Sequence, residues 1–544
     1  MSFNFATLWE TVADTVPTQM AVVCGPRRVA WRDYEDRAAR LAGAFAAAGL
    51  EAHAKVGLYL YNSPEYCETN FAALKLRGVP INVNYRYLDE ELVYLFDNAD
   101  LEAVVFHTSL ADRIARVAPQ CPGLKLLVAV DDGPTPDGPV EVPRAVAYET
   151  LLEAQQPLPR RAPQGDEIYM LYTGGTTGMP KGVMYPFGEF TAFFVLGYPP
   201  MIGLEAPADV AALMGTVRER AAAGAPPLVA MSAPPLMHGT GCWLGMMAPH
   251  MMGGTAVLLE SRGLNAVELW DTVAREGVQH LVIVGDAFAR PLLDALNAAP
   301  QRWDLSCLRL MISSGAMFST PVKQGLIDHV PGLTIADLLG STEGGMGSSI
   351  MNKDTPVAET ARFALSPTTK VFTEDGHEVR PGSGEVGLVA SGGLVPIGYY
   401  KDPEKSARTF RVFDGHRYSI PGDMARVAAD GSLELLGRGS NCINTGGEKV
   451  FPEEVEEALK KHPAVQDALV FGLPDERFGN RVSAVASLRA GASAGPEDIL
   501  AHVHQHLAGY KVPRALQLVP RVPRAPNGKA DYPSARALFE AAAG

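Results

Sequence analysis

Residues 172–183 read Tyr-Thr-Gly-Gly-Thr-Thr-Gly-Met-Pro-Lys-Gly-Val, a stretch dense in groups that can hold a polyphosphate. Glycine lacks a Cβ, tolerates positive φ and lets the backbone approach a ligand, so consecutive N–H groups can face one concavity. Thr173, Thr176 and Thr177 add hydroxyl donors, Lys181 adds a positive charge, and Gly174, Gly175 and Gly178 supply the freedom. A Walker A loop needs Gly before its lysine and Ser or Thr after it. Pro180 and Gly182 flank Lys181 here, so this is a phosphate loop of another kind.

The apolar run 168–172 predicts a strand feeding that loop. Apolar periodicity predicts helices over 8–16, 34–48, 65–76, 109–118 and 265–276. Strand-like runs at 55–60, 103–106, 125–130, 255–259, 280–284 and 309–313 alternate with them, and the last ends in the turn Ser314, Gly315, Ala316. Such alternation predicts an α/β fold of mainly parallel sheets covered by helices. The Pro/Gly-rich stretch 134–143 reads as a surface loop. From about 366, short strands with turn signals at 374–376 and 429–431 predict a β-rich subdomain. A third style follows, with helices over 452–461 and 496–507 and strands over 465–471 and 482–488, a compact α+β unit. The expected division is a large domain, 1–437, and a small one, 438–544, with the boundary in the glycine-containing stretch 437–440.

A chain of 544 residues exceeds one hydrophobic core. A net charge of -14 argues against a general nucleic-acid or anionic-membrane surface, though not against one local positive pocket. The six cysteines are scattered without CxxC spacing and read as reduced thiols, neither a disulfide framework nor a zinc site. No basic start leads into an apolar core, and no run reaches the roughly 18 apolar residues of a membrane span, so a cytoplasmic protein is expected, with peripheral membrane contact left open. His502, His504 and His506 lie on one predicted helix and, lacking a further ligand, read as an exposed face.

The order Thr-Thr-Gly-Met-Pro-Lys-Gly at 176–182 resembles the phosphate loop of the acyl-activating, AMP-forming ligases, with Gly174 where that family usually has Ser. Further segments resemble the same family in the same order: 337–344 with its Gly-Ser-Thr-Glu, 418–423 ending in Gly-Asp, Gly437 and Arg438 followed by 444–453, and Pro526, Asn527, Gly528, Lys529. Segments 29–34 and 83–87 also fit, so the likeness spans essentially the whole chain.

The resemblance implies ATP-dependent activation of a carboxylic acid to an acyl-adenylate, then transfer to coenzyme A. It implies that Thr173 to Gly178 and Lys181 hold phosphates, and that Glu343, with Thr176 nearby, holds Mg2+. Ser314, Gly315, Ala316 and the segment Asp337, Leu339, Gly340, Ser341, Thr342 would line the nucleotide. The family usually carries an aromatic residue at Leu339, so apolar contact would replace ring stacking. Asp423 would accept from the ribose hydroxyls with Arg438 beside it. Lys529 is implied as the catalytic lysine, and His238 as a group between the acyl pocket and the thiol. The glycines around His238 would leave room for the acyl group. Gly446, Gly447 and Lys449 would meet coenzyme A once the small domain has turned, with Ser440 standing where the family hinge usually carries Asp or Lys. Met246, Met247, Met251 and Met252 suggest an adaptable apolar wall. A medium- or long-chain fatty acid or a bulky alicyclic or steroid side-chain acid is therefore favoured, and 442–449 resembles members acting on steroid side-chain acids. A homodimer is compatible with this class. The alternatives are a stand-alone adenylation enzyme that loads a carrier protein, and a non-catalytic nucleotide-binding regulator, which would be expected to have lost Lys529 or Glu343.

Overall fold

The computed structural model describes residues 4–134, 138–173, 179–355, 360–445, 448–475, 479–526 and 528–541. Its backbone is built on the expected alternation of strands and helices. Six strands, Met20–Cys24, Thr255–Leu258, Val229–Ser232, His280–Ile283, Leu310–Ser314 and Thr334–Ser341, lie side by side and parallel. Their central residues are apolar and buried on both faces, as helices packed above and below require. A second, all-parallel sheet is ordered Val79–Asn82, Lys55–Tyr59, Leu101–His107, Leu126–Val130, Ala145–Ala147.

The covering helices start and stop where local chemistry dictates. Ser63 accepts from the Tyr66 N–H and Pro64 occupies the first turn of Pro64–Lys75. Asn265 accepts from the Val267 and Glu268 N–H groups, and Gly277, at φ +65°, closes Ala266–Glu276. That helix buries Leu269, Trp270 and Val273 against the sheet, each worth about 1.5–3 kcal/mol by transfer. The predicted helix over 109–118 is instead a 3-10 turn, Thr108–Leu110, followed by a short helix, Ala111–Val117.

The β-rich part is not a separate sheet. Gly344–Met351 turns back antiparallel along Thr334–Ser341 and passes through Arg362–Leu365 into Leu433–Arg438 and Asp423–Val427. One 15-stranded sheet thus runs from the parallel core to the strands near 420. The next sheet begins at Ile443–Thr445 and is built on the long hairpin of Val465–Asp475 and Gly479–Leu488, with Ala515–Leu518 parallel at its edge. Helices Pro452–Lys460 and Pro496–His504 close its own apolar core. The architecture is α/β with a large N-terminal sheet region and a C-terminal α+β unit. Among the described residues, no helix is long and apolar enough to cross a membrane.

Candidate active site

The strands on either side of the candidate phosphate loop form a hairpin. Ile168–Thr173 pairs antiparallel with Lys181–Pro186, and the last pair in register is Thr173 with Lys181. The loop's ends are thereby pinned opposite each other; Gly174, Gly175, Thr176, Thr177 and Gly178 lie outside the described residues. Gly182 is required for packing, since a Cβ there would lie 2.6 Å from Met170 Sδ and 2.8 Å from the Tyr172 ring. Lys181 forms an ion pair with Asp402. Asp402 enters on a third strand, Gly398–Tyr399, that pairs with Lys181–Pro186.

Glu343 sits in a tight turn between Thr334–Ser341 and Gly344–Met351, where its N–H donates to Ser341 Oγ at 3.2 Å. The Thr342 carbonyl accepts from the Tyr185 hydroxyl at 2.6 Å, tying this turn to the phosphate hairpin. The Tyr399 hydroxyl donates to Glu343 Oε1 at 2.8 Å. Burial, then the nearby Glu343, pushes the Tyr399 phenol pKa up, so it remains a donor.

Asp423 and Arg438 are register partners on adjacent strands, and Arg438 Nε donates to Asp423 Oδ1 at 3.3 Å. Desolvation raises the Asp423 pKa against the opposing pull of Arg438. Glu343 and Lys529 also lie within electrostatic reach of this pair.

Lys529 crosses from the small domain. A Cβ placed on Gly315, which holds φ +97°, would lie 3.7 Å from Lys529 Cε and 3.9 Å from Thr240 Oγ1. Behind it, Gly528 fits so closely that a Cβ would lie 2.9 Å from Ala287 Cβ. Lys529 is exposed to water in the cleft yet surrounded by protein on most sides, and desolvation, then Arg438, lowers its pKa. His238 feels the same ammonium. Its pKa is lowered to about 3, by desolvation first and Lys529 second, and its Nε2 is buried without a hydrogen-bond partner.

The loop carrying His238 is stitched down by buried polar groups the sequence did not single out. Asn82 Nδ2 donates to the Tyr172 and Met237 carbonyls at 2.8 and 2.7 Å, and its Oδ1 accepts from the Tyr172 N–H at 2.8 Å. One side chain thus joins the strand before the phosphate loop to the residue before His238.

Gly239 and Gly241 are closely packed on one side: an added Cβ would lie 3.2 Å from Leu171 Cδ2 and 3.3 Å from the Trp243 ring at Gly239, and 2.6 Å from the Pro235 carbonyl at Gly241. The π-helix Thr240–Met247 is pressed against strand Val229–Ser232, with Gly245 also backing onto Ser232. Several expectations need correction. Met246, Met247, Met251 and Met252 belong to the main hydrophobic core. Asp337 does not face the nucleotide side. Strand alternation turns it, with Ile335, toward helix Thr320–His329, where Lys323 Nζ donates to its Oδ2 at 2.7 Å. Leu339 packs partly into the core of the β-rich region. A Cβ on Gly340 would lie 3.1 Å from the Gly344 carbonyl, so this glycine serves the turn. Gly446 and Gly447 lie outside the described residues, as does the Lys449 side chain. His502 and His506 are joined by His462, at ring separations of 5.2 and 4.6 Å along the chain of three, but no cluster able to hold a metal exists among the described residues.

The arrangement brings together a phosphate hairpin, a carboxylate fixed by a phenol, a second carboxylate paired with arginine, and a lysine delivered from another domain. A model of the family described as AMP-binding enzyme matches residues 9–400, and one described as AMP-binding enzyme C-terminal domain matches 454–529. The chain belongs to the AMP-binding enzyme family. Similar family members include a 3-oxocholest-4-en-26-oate--CoA ligase from Rhodococcus rhodochrous, 42% identical across 98% of this chain and 95% of that one. A medium/long-chain-fatty-acid--CoA/3-oxocholest-4-en-26-oate--CoA ligase from Mycolicibacterium smegmatis is 41% identical across 99% of this chain and 97% of its own. Among solved structures, an anthranilate CoA ligase in complex with anthranoyl-AMP superposes with a TM-score of 0.82 at 22% identity, covering 100% of this chain and 98% of that one. That likeness describes the AMP-binding enzyme fold.

Proposed function

We infer that this chain is an ATP-dependent, AMP-forming acid–CoA ligase acting on an apolar acid, either a medium- to long-chain fatty acid or a steroid side-chain acid. The observation that carries this reading is the delivery of Lys529, from the small domain, to Gly315 and His238 on the large one. The substrate class rests on the relatives that share about two-fifths of this sequence over nearly its full length. Loading of a carrier protein is the less favoured reading.

A free carboxylic acid resists thiol attack at neutral pH because hydroxide is a poor leaving group. In the first step a carboxylate oxygen attacks the α-phosphorus of ATP and pyrophosphate departs. The phosphate hairpin and Lys181 hold the departing charge, while Lys529 sits where charge develops between the carboxylate and the α-phosphate. Asp423, paired with Arg438, accepts from the ribose hydroxyls. The donor set around the phosphates suits Mg2+, which takes hard oxygen ligands from one or two carboxylates together with substrate phosphates. Glu343, oriented by Tyr399, would hold the ion with the Thr176 hydroxyl. Bound there, Mg2+ neutralises phosphate charge. In the second step the thiol of coenzyme A attacks the acyl carbonyl, and AMP leaves with the bonding electrons. The small domain turns near 437–441 between the steps, taking Lys529 away and bringing the segment with Gly446, Gly447 and Lys449 to the cleft.

The deciding measurement is pyrophosphate release from ATP and Mg2+ with a panel of acids, with and without coenzyme A. Thioester formed with apolar acids supports the reading. Pyrophosphate release that never yields a coenzyme A thioester overturns it in favour of carrier loading.

A further inference from the structure

The strand and turn 398–405 form a wall of the phosphate site that none of the family motifs above includes. Three of its polar side chains, Tyr399, Asp402 and Lys405, face groups of that site, whereas Tyr400 and Lys401 pair with Asp100 and Glu404 with Arg408. Tyr399 donates to Glu343 Oε1 at 2.8 Å. Asp402 pairs with Lys181 and accepts the Lys405 N–H at 2.9 Å through its other oxygen. Lys405 is half-buried, with its Nζ 5.3 Å from the centre of the Tyr399 ring. Its ammonium is within electrostatic reach of Lys181, Glu343, Asp402 and Arg438. The segment is fixed there by the backbone: the Tyr400 N–H donates to the Gly182 carbonyl at 2.8 Å, and Ser406 Oγ accepts from the Tyr399 N–H at 2.8 Å.

Two lysines lie near one carboxylate, but only Lys181 is ion-paired with it, and the neighbouring carboxylate is already satisfied in part by a phenol, so the Lys405 ammonium is left to meet a highly anionic ligand when one arrives. An inorganic polyphosphate carries more negative charge than Lys181 alone can balance. We propose that Lys405 is a further polyphosphate-binding residue, which grips the pyrophosphate portion of the nucleotide opposite Lys181, and that Asp402 is the carboxylate that holds Lys181 in place until that portion displaces it. Tyr399 acts as a positioning residue, setting Glu343 and carrying Lys405 on its ring face. The proposal rests on the ligase reading above and adds to it a second cation and its counter-ion.

The test compares two ligands that share the site but differ in charge. Inorganic pyrophosphate with Mg2+ reports on the wall, whereas AMP, which lacks the β and γ phosphates, reports on the nucleoside side. Affinities of both are measured by calorimetry for the full-length chain and for Lys405→Ala, Lys405→Gln and Lys405→Arg, with folding checked by thermal melting. The expected result is roughly tenfold weaker pyrophosphate binding for the Ala and Gln variants, AMP affinity within twofold of the parent, and most of the loss restored by Lys405→Arg. The KM for ATP should rise in parallel. Pyrophosphate affinity unchanged in both neutral variants, or pyrophosphate and AMP weakened equally, overturns the proposal while leaving the ligase reading intact. Failure of the unaltered chain to bind either ligand overturns both.

Discussion

The space above Gly437 is filled by the Glu453 carboxyl: a Cβ there would lie 2.1 Å from Glu453 Oε2, so any side chain at this position would have to push that carboxyl aside. Gly437 holds φ +115°, a conformation L-residues rarely adopt, at the end of strand Leu433–Arg438. Glu453 starts helix Pro452–Lys460 from the other domain. Its Oε2 is buried without a partner, and its pKa is pushed up to about 8, first by desolvation and then by Glu456, with Asp423 adding to it and the Arg438 backbone N–H opposing.

This contact makes docking of the small domain sensitive to pH. The folded carboxyl holds its proton more tightly than the unfolded one, so its contribution to stability is fully present below about pH 4.5 and is lost as pH rises to about 8. Glu453→Gln should remove that slope and stabilise the chain most at the alkaline end. Thermal melts of parent and variant from pH 5 to 9 check this; parallel curves would refute it.

Lys529→Ala should abolish adenylation, by roughly 10²–10³-fold or more for the loss of one preorganised donor. Thioester formation from supplied acyl-adenylate should persist, because the small domain presents another face in that step. Equal loss of both half-reactions would count against a turning domain.

His238 lies within electrostatic reach of Lys529, and its pKa, lowered to about 3, keeps the imidazole neutral near neutral pH. Its folded pKa is depressed, so the associated stability is present above about pH 6.5 and declines as pH falls toward 3. We expect His238→Ala to slow acid activation about tenfold, the worth of one uncharged hydrogen bond, with the pH–rate profile from 6 to 9 unchanged in shape. Disappearance of an ionisation from that profile in the variant would assign His238 a proton-transfer role instead.

Asn82→Ala strips partners from three buried backbone groups at once, two carbonyls and an N–H. At about 1–3 kcal/mol for each group left unpaired, with partial relief from water entering the space, we expect a loss of about 3–5 kcal/mol in unfolding free energy. Chemical denaturation measures it, and a loss below 1 kcal/mol would show that Asn82 is not the strut described.

The strands and helices were legible because their apolar spacing is local: 255–259 and 280–284 became buried parallel strands within a residue of their expected ends. Glu343, Asp423 and Lys529 were singled out because they stand in ordered motifs resembling the family's, and folding brings the three within electrostatic reach of one another. Asn82, Tyr399 and Asp402 were not, since each gains its role from a partner brought alongside by folding. Asp402 followed by Pro403 reads locally as a helix start, and it does cap that helix, accepting the Lys405 N–H; nothing near it in sequence announces Lys181. Gly241 signals close backbone approach, but sequence alone does not say whether a ligand or a neighbouring strand makes that approach; here the Pro235 carbonyl and Ser232 lie within 3 Å of where its Cβ would be.

Continuity of the large sheet has a consequence for how the intermediate changes hands. Ser314, Ser341 and Asp423 stand on strands of one 15-stranded sheet, so the nucleotide contacts proposed for them share a single floor. The adenylate need not travel between two workstations. If the small domain turns as proposed, the adenylate would stay where it was made while the ceiling above it is exchanged, and a reactive mixed anhydride would pass from one chemistry to the next without being released.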